Sequence, residues 1–238
     1  MEGMETVLAV TAAAGIGGTG LGGAAGVLLR RDPGRMVSLM LSFAAGVMVA
    51  VVCLDLLTEA MAAGAVRAIG GVLAGYGASE LLSRCLDRPE GGRLLVAGAV
   101  TAAAIAAHNL PEGMAIGAAF AGGTGGEGWL LAAVIAAHNI PEGMAVAAPL
   151  AAGGMSRRMA AALAAATGIP TVAGAAVGYW IGSMGPALLA TTLGAASGAM
   201  LYVVFGELLP ERSRLWDSHF PALAAVAGVL TGMAIAGG

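Results

Sequence analysis

Two near-identical segments, 30 residues apart, carry the side chains of this chain that can do chemistry. Residues 105–115 and 135–145 both read Ile-Ala-Ala-His-Asn-x-Pro-Glu-Gly-Met-Ala, where x is leucine in the first copy and isoleucine in the second. Each copy therefore places a histidine, an asparagine and a glutamate within an apolar stretch. Ionisable groups are costly in hydrocarbon and usually mark function, so the pair predicts a path for a metal ion through a membrane.

The spacing within each motif directs the imidazole and the carboxylate to the same side of a helix. Residues i and i+4 share a face and lie about 6 Å apart along the axis, while the asparagine lies about 100° around the helix. Two facing helices would then offer two imidazoles, two carboxylates and two amides to one ion. The candidate ligands are His108, Asn109, Glu112, His138, Asn139 and Glu142.

This mixed set of nitrogen and oxygen ligands suits zinc, and also iron(II), manganese, cobalt or cadmium, better than calcium, which prefers oxygen alone. For each single copy, the alternative is a histidine that only hydrogen-bonds between helices. The presence of two copies favours metal binding, because two buried glutamates without a cation would be costly. Pro111 and Pro141 lack the amide hydrogen that a helix uses, so we expect the helices to be distorted beside the ligands.

The composition excludes an ordinary soluble domain. The chain is 58% hydrophobic and only 11% charged, whereas soluble proteins carry about 25% charged residues. At about 20 residues for each crossing, 238 residues predict an all-α polytopic membrane protein with about eight transmembrane helices, and a single transmembrane domain over residues 1–238. The small net charge of -3 gives no reason to expect nucleic-acid binding. We predict helices at residues 5–29, 36–60, 66–83, 94–121, 128–150, 158–183, 186–210 and 219–236.

The basic residues, all of them arginine, predict the orientation. They cluster after helices one, three, five and seven, and a single arginine follows helix two. The positive-inside rule then places the odd-numbered loops in the cytoplasm and both chain termini outside, in a plasma membrane of the bacterial inner-membrane type. In chain order the arginines are Arg30, Arg31, Arg35, Arg67, Arg84, Arg88, Arg93, Arg157, Arg158, Arg212 and Arg214.

A second internal repeat appears at an offset of 152 residues. It aligns helix one with helix six and helix two with helix seven, while the match fades for helices three and eight. Because helices four and five are joined by a short loop, they must run antiparallel, so we expect an inverted repeat of helices 1–3 and 6–8 around the central pair 4–5. Such repeats are common in transporters with a site near the midplane.

The offset places acidic residues of helix two opposite acidic residues of helix seven. Asp55 aligns with Glu207 and Glu59 with Glu211, so we predict that these four residues form the two ends of a transport pathway. The alternative is that they lie at the interface or pair with nearby arginines. Met48 lies deeper in helix two, where a thioether can bind a soft metal but more often fills space.

The two His-Asn-x-Pro-Glu-Gly motifs, Leu-Asp-Leu-Leu-Thr-Glu-Ala at residues 54–60 and Leu-Tyr-Val-Val-Phe-Gly-Glu-Leu-Leu-Pro-Glu at residues 201–211 resemble the ZIP (Zrt/Irt-like protein) family of divalent-metal transporters, particularly its prokaryotic members. The resemblance implies eight helices, extracytoplasmic termini, metal movement into the cytoplasm and, in many members, a homodimer. It also implies that the six candidate ligands line a site between helices four and five, that Met48 lies beside this site, and that Glu207 and Glu211 take part in release.

Two departures limit what the resemblance implies. Many relatives supply a further glutamate from helix six, whereas residues 167–174 contain none, so we do not expect a second bridged metal ion. Thr58 replaces the proline that is common in the helix-two motif.

We therefore expect a transporter of divalent cations, zinc first among them, with no prosthetic group and with the metal as its substrate. The alternative from another class is an intramembrane hydrolase that uses a bound metal to activate water, although no His-Glu-x-x-His motif supports it. A third interpretation, a metal-sensing or purely structural helical bundle, would show metal binding without directed flux.

Overall fold

The computed structural model describes residues 3–28, 33–85, 93–122, 126–181 and 185–236, and every regular element within them is helical. Arg30, Arg31 and Arg88, which contribute to the predicted orientation, lie outside the described residues. Residues 123–125, in the loop between the two motif helices, also lie outside them. The prediction of an all-α protein is confirmed for the described ranges.

The first half of the chain forms three helical segments. Helix α1 comprises Met4–Ala12, a π-helical segment at Ala13–Gly17, and Gly18–Leu28. Helix α2 comprises Pro33–Val51, a π-helical segment at Val52–Leu56 and residues 57–63. The backbone leaves the helical conformation at Gly64 (φ 163°, ψ 97°), and the remaining residues, 65–85, form α3.

The motif helices and the second half follow. Helix α4 is Arg93–Gly122 and α5 is Gly126–Ala152. Helix α6 is interrupted, with Arg157–Ala166 and Ile169–Ile181 separated by a turn at residues 167–168. Helix α7 comprises Pro186–Tyr202, a π-helical segment at Val203–Leu208, and Leu209–Leu215, and α8 is Phe220–Ala236.

Six helices of the described residues are long and apolar enough to cross a membrane by length and composition. One of them, Gly34–Leu81, is 48 residues long, more than twice the roughly 20 residues that one crossing needs, and the break at Gly64 lies within it. Phe220–Ala234 is a shorter apolar helix. These lengths confirm a multi-pass helical membrane protein. The spans are Met4–Leu28, Gly34–Leu81, Leu94–Ala121, Gly128–Ala152, Arg157–Trp180 and Ala187–Leu215.

The motif helices α4 and α5 pack against each other, and each has a second close partner. Helix α1 packs on α5, and α6 packs on α4. Small residues make these contacts close: a Cβ atom on Gly22 of α1 would overlap the carbonyl oxygen of Ile140, and one on Gly174 of α6 would overlap that of Leu110. Close approach through glycine is the usual way for membrane helices to associate.

The remaining helices form two further close pairs, α2 with α8 and α3 with α7. Helix α2 also contacts α5, and α7 contacts α4. The two motif helices therefore lie between α1 and α6 on one side and the α2/α8 and α3/α7 pairs on the other. The candidate ligands, which lie midway along α4 and α5, are consequently covered by protein.

Candidate metal site

The histidines and glutamates among the six candidate ligands lie close together. All six side chains are completely buried. The Nε2 atom of His108 on α4 donates to Oε1 of Glu142 on α5 at 3.1 Å, and Nε2 of His138 on α5 donates to Oε1 of Glu112 on α4 at 3.3 Å. Since the later residue of one motif meets the earlier residue of the other in both pairs, α4 and α5 run antiparallel with the motifs in register.

The distances fit ligands that share one small cation. Two ligands bound to a zinc ion at about 2.1 Å each, at the tetrahedral angle, lie about 3.4 Å apart. The Nε2–Oε1 distances of the two interhelical contacts are close to this value. Within α4, Nε2 of His108 lies 4.0 Å from Oε1 of Glu112. Candidate ligand atoms of His108, Glu112 and Glu142 all lie within 4.8 Å of one another. A cation between these groups would replace the protons that now join them.

The candidate ligands also have buried polar atoms that make no hydrogen bond. Within the described residues, six of their buried atoms have no hydrogen-bond partner, one on each candidate ligand. Buried polar atoms are rarely left unsatisfied without a reason such as an absent ion or water. The atoms are Nδ1 of His108 and His138, Oδ1 of Asn109 and Asn139, and Oε2 of Glu112 and Glu142.

The asparagines are held by the helices that flank the motif pair. The Nδ2 atom of Asn109 donates to the carbonyl oxygen of Thr167 in α6 at 2.7 Å, and Nδ2 of Asn139 donates to that of Ala14 in α1 at 3.0 Å. Thr167 lies at the interruption of α6 and Ala14 lies in the π-helical segment of α1. The carbonyl oxygens that hold both side-chain amides thus lie where α6 and α1 depart from regular α-helix. Each Oδ1 atom makes no hydrogen bond within the described residues and could bind a cation.

The expected distortion is located in these neighbouring helices rather than at the prolines. Helices α4 and α5 continue without interruption through Pro111 and Pro141, so the expectation of distorted motif helices was wrong. A proline removes one hydrogen bond from a helix, and surrounding helices in a membrane protein can compensate for that loss.

The predicted pathway residues of α2 lie at different depths. Asp55 is in the π-helical segment, is partly buried and lies within electrostatic range of His138. Glu59, one helical turn later, is exposed. Of these two residues, Asp55 is therefore the one that the structure relates to the central cluster.

The predicted pathway residues of α7 are both engaged in contacts. Glu207 is 8% exposed and accepts hydrogen bonds from the hydroxyls of Ser83 and Tyr202. Glu211 forms an ion pair with Arg214, with 3.4 Å between Oε2 and Nη1. Pairing with an arginine, the alternative interpretation of these acidic residues, therefore applies to Glu211 in this conformation.

Met48 is completely buried in the largest hydrophobic cluster, together with Met200. Packing accounts for its burial, and its role as a metal ligand stays a prediction.

Three polar residues around these sites were not singled out from the sequence. Ser83 and Tyr202 contact Glu207, and Thr171 of α6 is completely buried, with an Oγ1 atom that has no hydrogen-bond partner within the described residues. The alignment of Thr19 with Thr171 at the 152-residue offset was the available signal for Thr171. Ser83 had no such signal, because α3 and α8 do not align by sequence.

Comparison with known proteins finds relatives along nearly the whole chain. Residues 84–238 match the family described as ZIP zinc transporter. The chain is 33% identical over 264 residues to the zinc transporter ZupT of Chlorobium luteolum, covering 99% of this chain and 97% of that protein. It is 35% identical over 242 residues to the zinc transporter ZIPB of Bordetella bronchiseptica, covering 94% and 77%.

A shorter region of the chain is 43% identical over 111 residues to the zinc transporter GufA of Myxococcus xanthus. This alignment covers 47% of this chain and 44% of that protein. These relatives are transporters rather than enzymes. With a family match over more than half of its length and relatives that align from end to end, this chain belongs to the ZIP zinc transporter family.

Proposed function

We propose that the protein carries divalent cations across the membrane into the cytoplasm through the His/Glu/Asn cluster between α4 and α5. Zinc is the first cargo, since the relatives are named zinc transporters, and iron(II), manganese, cobalt and cadmium are its competitors because the mixed ligand set suits them too. The observation that carries the proposal is the pair of reciprocal, completely buried histidine–glutamate contacts.

Charge gives the physical reason for a divalent cargo. Two glutamates bring two negative charges into a region without solvent, where an uncompensated carboxylate is strongly disfavoured. A single divalent cation balances both charges. The neutral imidazoles add nitrogen ligands without adding charge, so the loaded site is neutral and the cation is held without an excess of negative charge that would oppose its release.

We propose eight membrane crossings arranged as an inverted repeat of α1–α3 and α6–α8. The contacts support this arrangement, because α1 packs on α5 as α6 packs on α4, and α2 packs on α8 as α7 packs on α3. A Cβ atom on Gly46 of α2 would overlap the carbonyl oxygen of Ala225, and one on Gly198 of α7 would overlap that of Val72. Helices α3 and α8 thus make corresponding contacts although their sequences do not align.

In the proposed mechanism, the cation enters from the outer side along Glu59 and Asp55 and loses part of its hydration shell at the cluster. It then leaves past Glu207 and Glu211 toward the cytoplasm. The excess of arginine in the odd-numbered loops supports an orientation with both termini outside, and movement toward the cytoplasm is what the family resemblance implies. A single transmembrane domain over residues 1–238 in a bacterial inner membrane, assembled as a homodimer as the family resemblance implies, completes the proposal.

Zinc uptake into proteoliposomes tests the proposed function. The double variant Glu112→Gln/Glu142→Gln keeps the volume of both side chains and removes both negative charges, so we expect uptake to fall to the level of protein-free vesicles. The matched control is Glu80→Gln, since Glu80 is a surface residue that pairs with Arg84 on the same helix. Uptake by the double variant equal to that of the control would refute the proposed site.

The same vesicles distinguish transport from the hydrolase interpretation. A transporter accumulates radioactive zinc in empty vesicles, whereas an intramembrane hydrolase or a structural bundle binds the metal without accumulating it. Competition by iron, manganese and cadmium in this assay ranks the cargoes.

A further inference from the structure

The side-chain amides of the two motif asparagines are held by backbone carbonyls before any cation binds. Asn109 donates from Nδ2 to the carbonyl oxygen of Thr167 in α6, and Asn139 donates from Nδ2 to that of Ala14 in α1. Both asparagines are completely buried. Because a side-chain amide is planar, the hydrogen bond at Nδ2 also determines where Oδ1 lies, and Oδ1 is the atom that can bind a cation.

Pro170 explains why the Thr167 carbonyl is available to Asn109. In a regular α-helix the N–H of Thr171 would donate to Thr167, four residues earlier. Pro170 has no N–H, α6 is interrupted at residues 167–168, and the N–H of Thr171 donates to the carbonyl of Gly168 at 3.2 Å. The Thr167 carbonyl therefore accepts from Asn109 instead of from its own helix.

The turn of α6 lies directly against the π-helical segment of α1. A Cβ atom on Gly168 would overlap the carbonyl group of Gly15, and one on Gly15 would lie 2.7 Å from the carbonyl oxygen of Gly168. Backbone therefore meets backbone at this crossing of α1 and α6. Since Thr167 precedes Gly168 and Ala14 precedes Gly15, the crossing fixes the two carbonyls that hold the asparagines relative to each other.

We propose that Pro170 and Gly168 are positioning residues that hold the two motif asparagines in place for the cation. Pro170 leaves the Thr167 carbonyl to Asn109, and Gly168 allows α6 to approach the segment of α1 that holds Asn139. The amides are thus ordered before the cation arrives, and a site whose groups are already ordered binds more tightly. This inference rests on the proposed function, in which both amide oxygens are ligands.

Zinc titration of the purified protein tests Pro170. Pro170→Ala restores an N–H group, so α6 can continue as a regular helix and the N–H of Thr171 can compete with Asn109 for the Thr167 carbonyl. We expect the zinc affinity to fall about tenfold, as when a group that orients a metal ligand is removed. The matched control is Pro149→Ala, because Pro149 lies inside the uninterrupted helix α5, and its affinity should equal that of the natural chain.

A double-mutant cycle separates positioning from general destabilisation. If Pro170 acts through Asn109, Pro170→Ala should lower the zinc affinity of the natural chain but not that of the Asn109→Ala variant. A merely structural role would change the affinity by the same factor in both backgrounds. In proteoliposomes the apparent KM for zinc should rise while the maximal uptake rate is retained, whereas a folding defect would lower the maximal rate at unchanged KM.

Gly168→Ala tests the crossing, and it decides the inference if Pro170→Ala does not insert. Its Cβ atom would push α6 away from α1, so both amides should move and the zinc affinity should fall at least about tenfold. The loss should remain when Asn109→Ala is added and should vanish when Asn139→Ala is added as well. The matched control is Gly17→Ala, since a Cβ atom on Gly17, in the same π-helical segment of α1, has no neighbour closer than 3.9 Å.

The outcomes distinguish this inference from the proposed function. Equal zinc affinities for Pro170→Ala and its control would overturn the role of Pro170, as would an equal loss in the Asn109→Ala background. A loss by Gly168→Ala that persists without both asparagines would overturn the role of the crossing. Absence of zinc uptake by the natural chain would instead refute the proposed function, while the titrations test the positioning residues without requiring any flux.

Discussion

Substitution of Gly113 by alanine should disable transport without touching a candidate ligand. Gly113 directly follows Glu112 on α4 and lies against the backbone of Thr171 on α6. A Cβ atom at this position would overlap the Thr171 carbonyl oxygen and lie 2.6 Å from its carbonyl carbon and 2.8 Å from its Cα atom. These neighbours are backbone atoms, which cannot rotate away, so the helices themselves must separate.

A lower bound on the required movement follows from these distances. Ordinary contact begins at 3.4 Å, so the carbonyl carbon, at 2.6 Å, must move at least about 0.8 Å relative to Gly113, and the nearer carbonyl oxygen must move farther. Binding sites tolerate displacements of about 0.5 Å. We therefore expect zinc uptake to fall at least about tenfold and the protein to lose about 1–3 kcal/mol of stability, the usual cost of overpacking.

The assay compares Gly113→Ala with Gly77→Ala. Nothing lies within 4 Å of a Cβ atom built on Gly77, and both positions gain about 1 kcal/mol of helix propensity from alanine, so the comparison isolates the contact. We would measure zinc uptake at equal protein amounts and thermal unfolding in detergent, where each kcal/mol shifts the midpoint by about 2–4 °C. Equal uptake and equal midpoints for the two variants would show that the close approach at Gly113 is not needed.

Three further predictions follow from the site and the orientation. External acidification should lower the initial rate of zinc uptake, because protons compete with the metal for imidazole and carboxylate; a rate that rises as the pH falls would contradict this. Asn139→Ala removes an amide oxygen and its anchor on α1, so zinc affinity measured by titration should fall about tenfold or more, and unchanged affinity would exclude this asparagine from the site. In a variant without natural cysteines, Asp217→Cys should react with an impermeant maleimide only after permeabilisation, and labelling of intact cells would reverse the proposed orientation.

Helix positions could be predicted because uninterrupted apolar length determines them. The motif helices were predicted at residues 94–121 and 128–150 and are found at Arg93–Gly122 and Gly126–Ala152. The interruptions could not be predicted in the same way. The π-helical segments of α1 and α2 contain no proline, and Pro111 and Pro141, which we used as the signal, lie in uninterrupted helices. Pro170 and Pro210 do lie just after the turn in α6 and the π-helical segment of α7, but they were not used as signals.

The sequence pointed to the four buried histidines and glutamates that lie close together, but not to the way in which they pair. The i,i+4 spacing correctly placed His108 on the same face as Glu112, with 4.0 Å between Nε2 and Oε1, yet the shortest contacts join different helices, at 3.1 and 3.3 Å. The register between α4 and α5 decides this pairing. Sequence spacing within one helix carries no information about that register.

The pairing matters for how a carrier can both bind and release its cargo. In the structure each glutamate of the cluster uses one oxygen to accept from a histidine of the other helix, while its second oxygen has no partner within the described residues. An empty site in which every atom was satisfied would resist the cation, and one in which none was satisfied would hold it too firmly for turnover. When histidines of the protein satisfy only some of the carboxylate oxygens of the empty site, the free-energy difference between the empty and the loaded site is smaller.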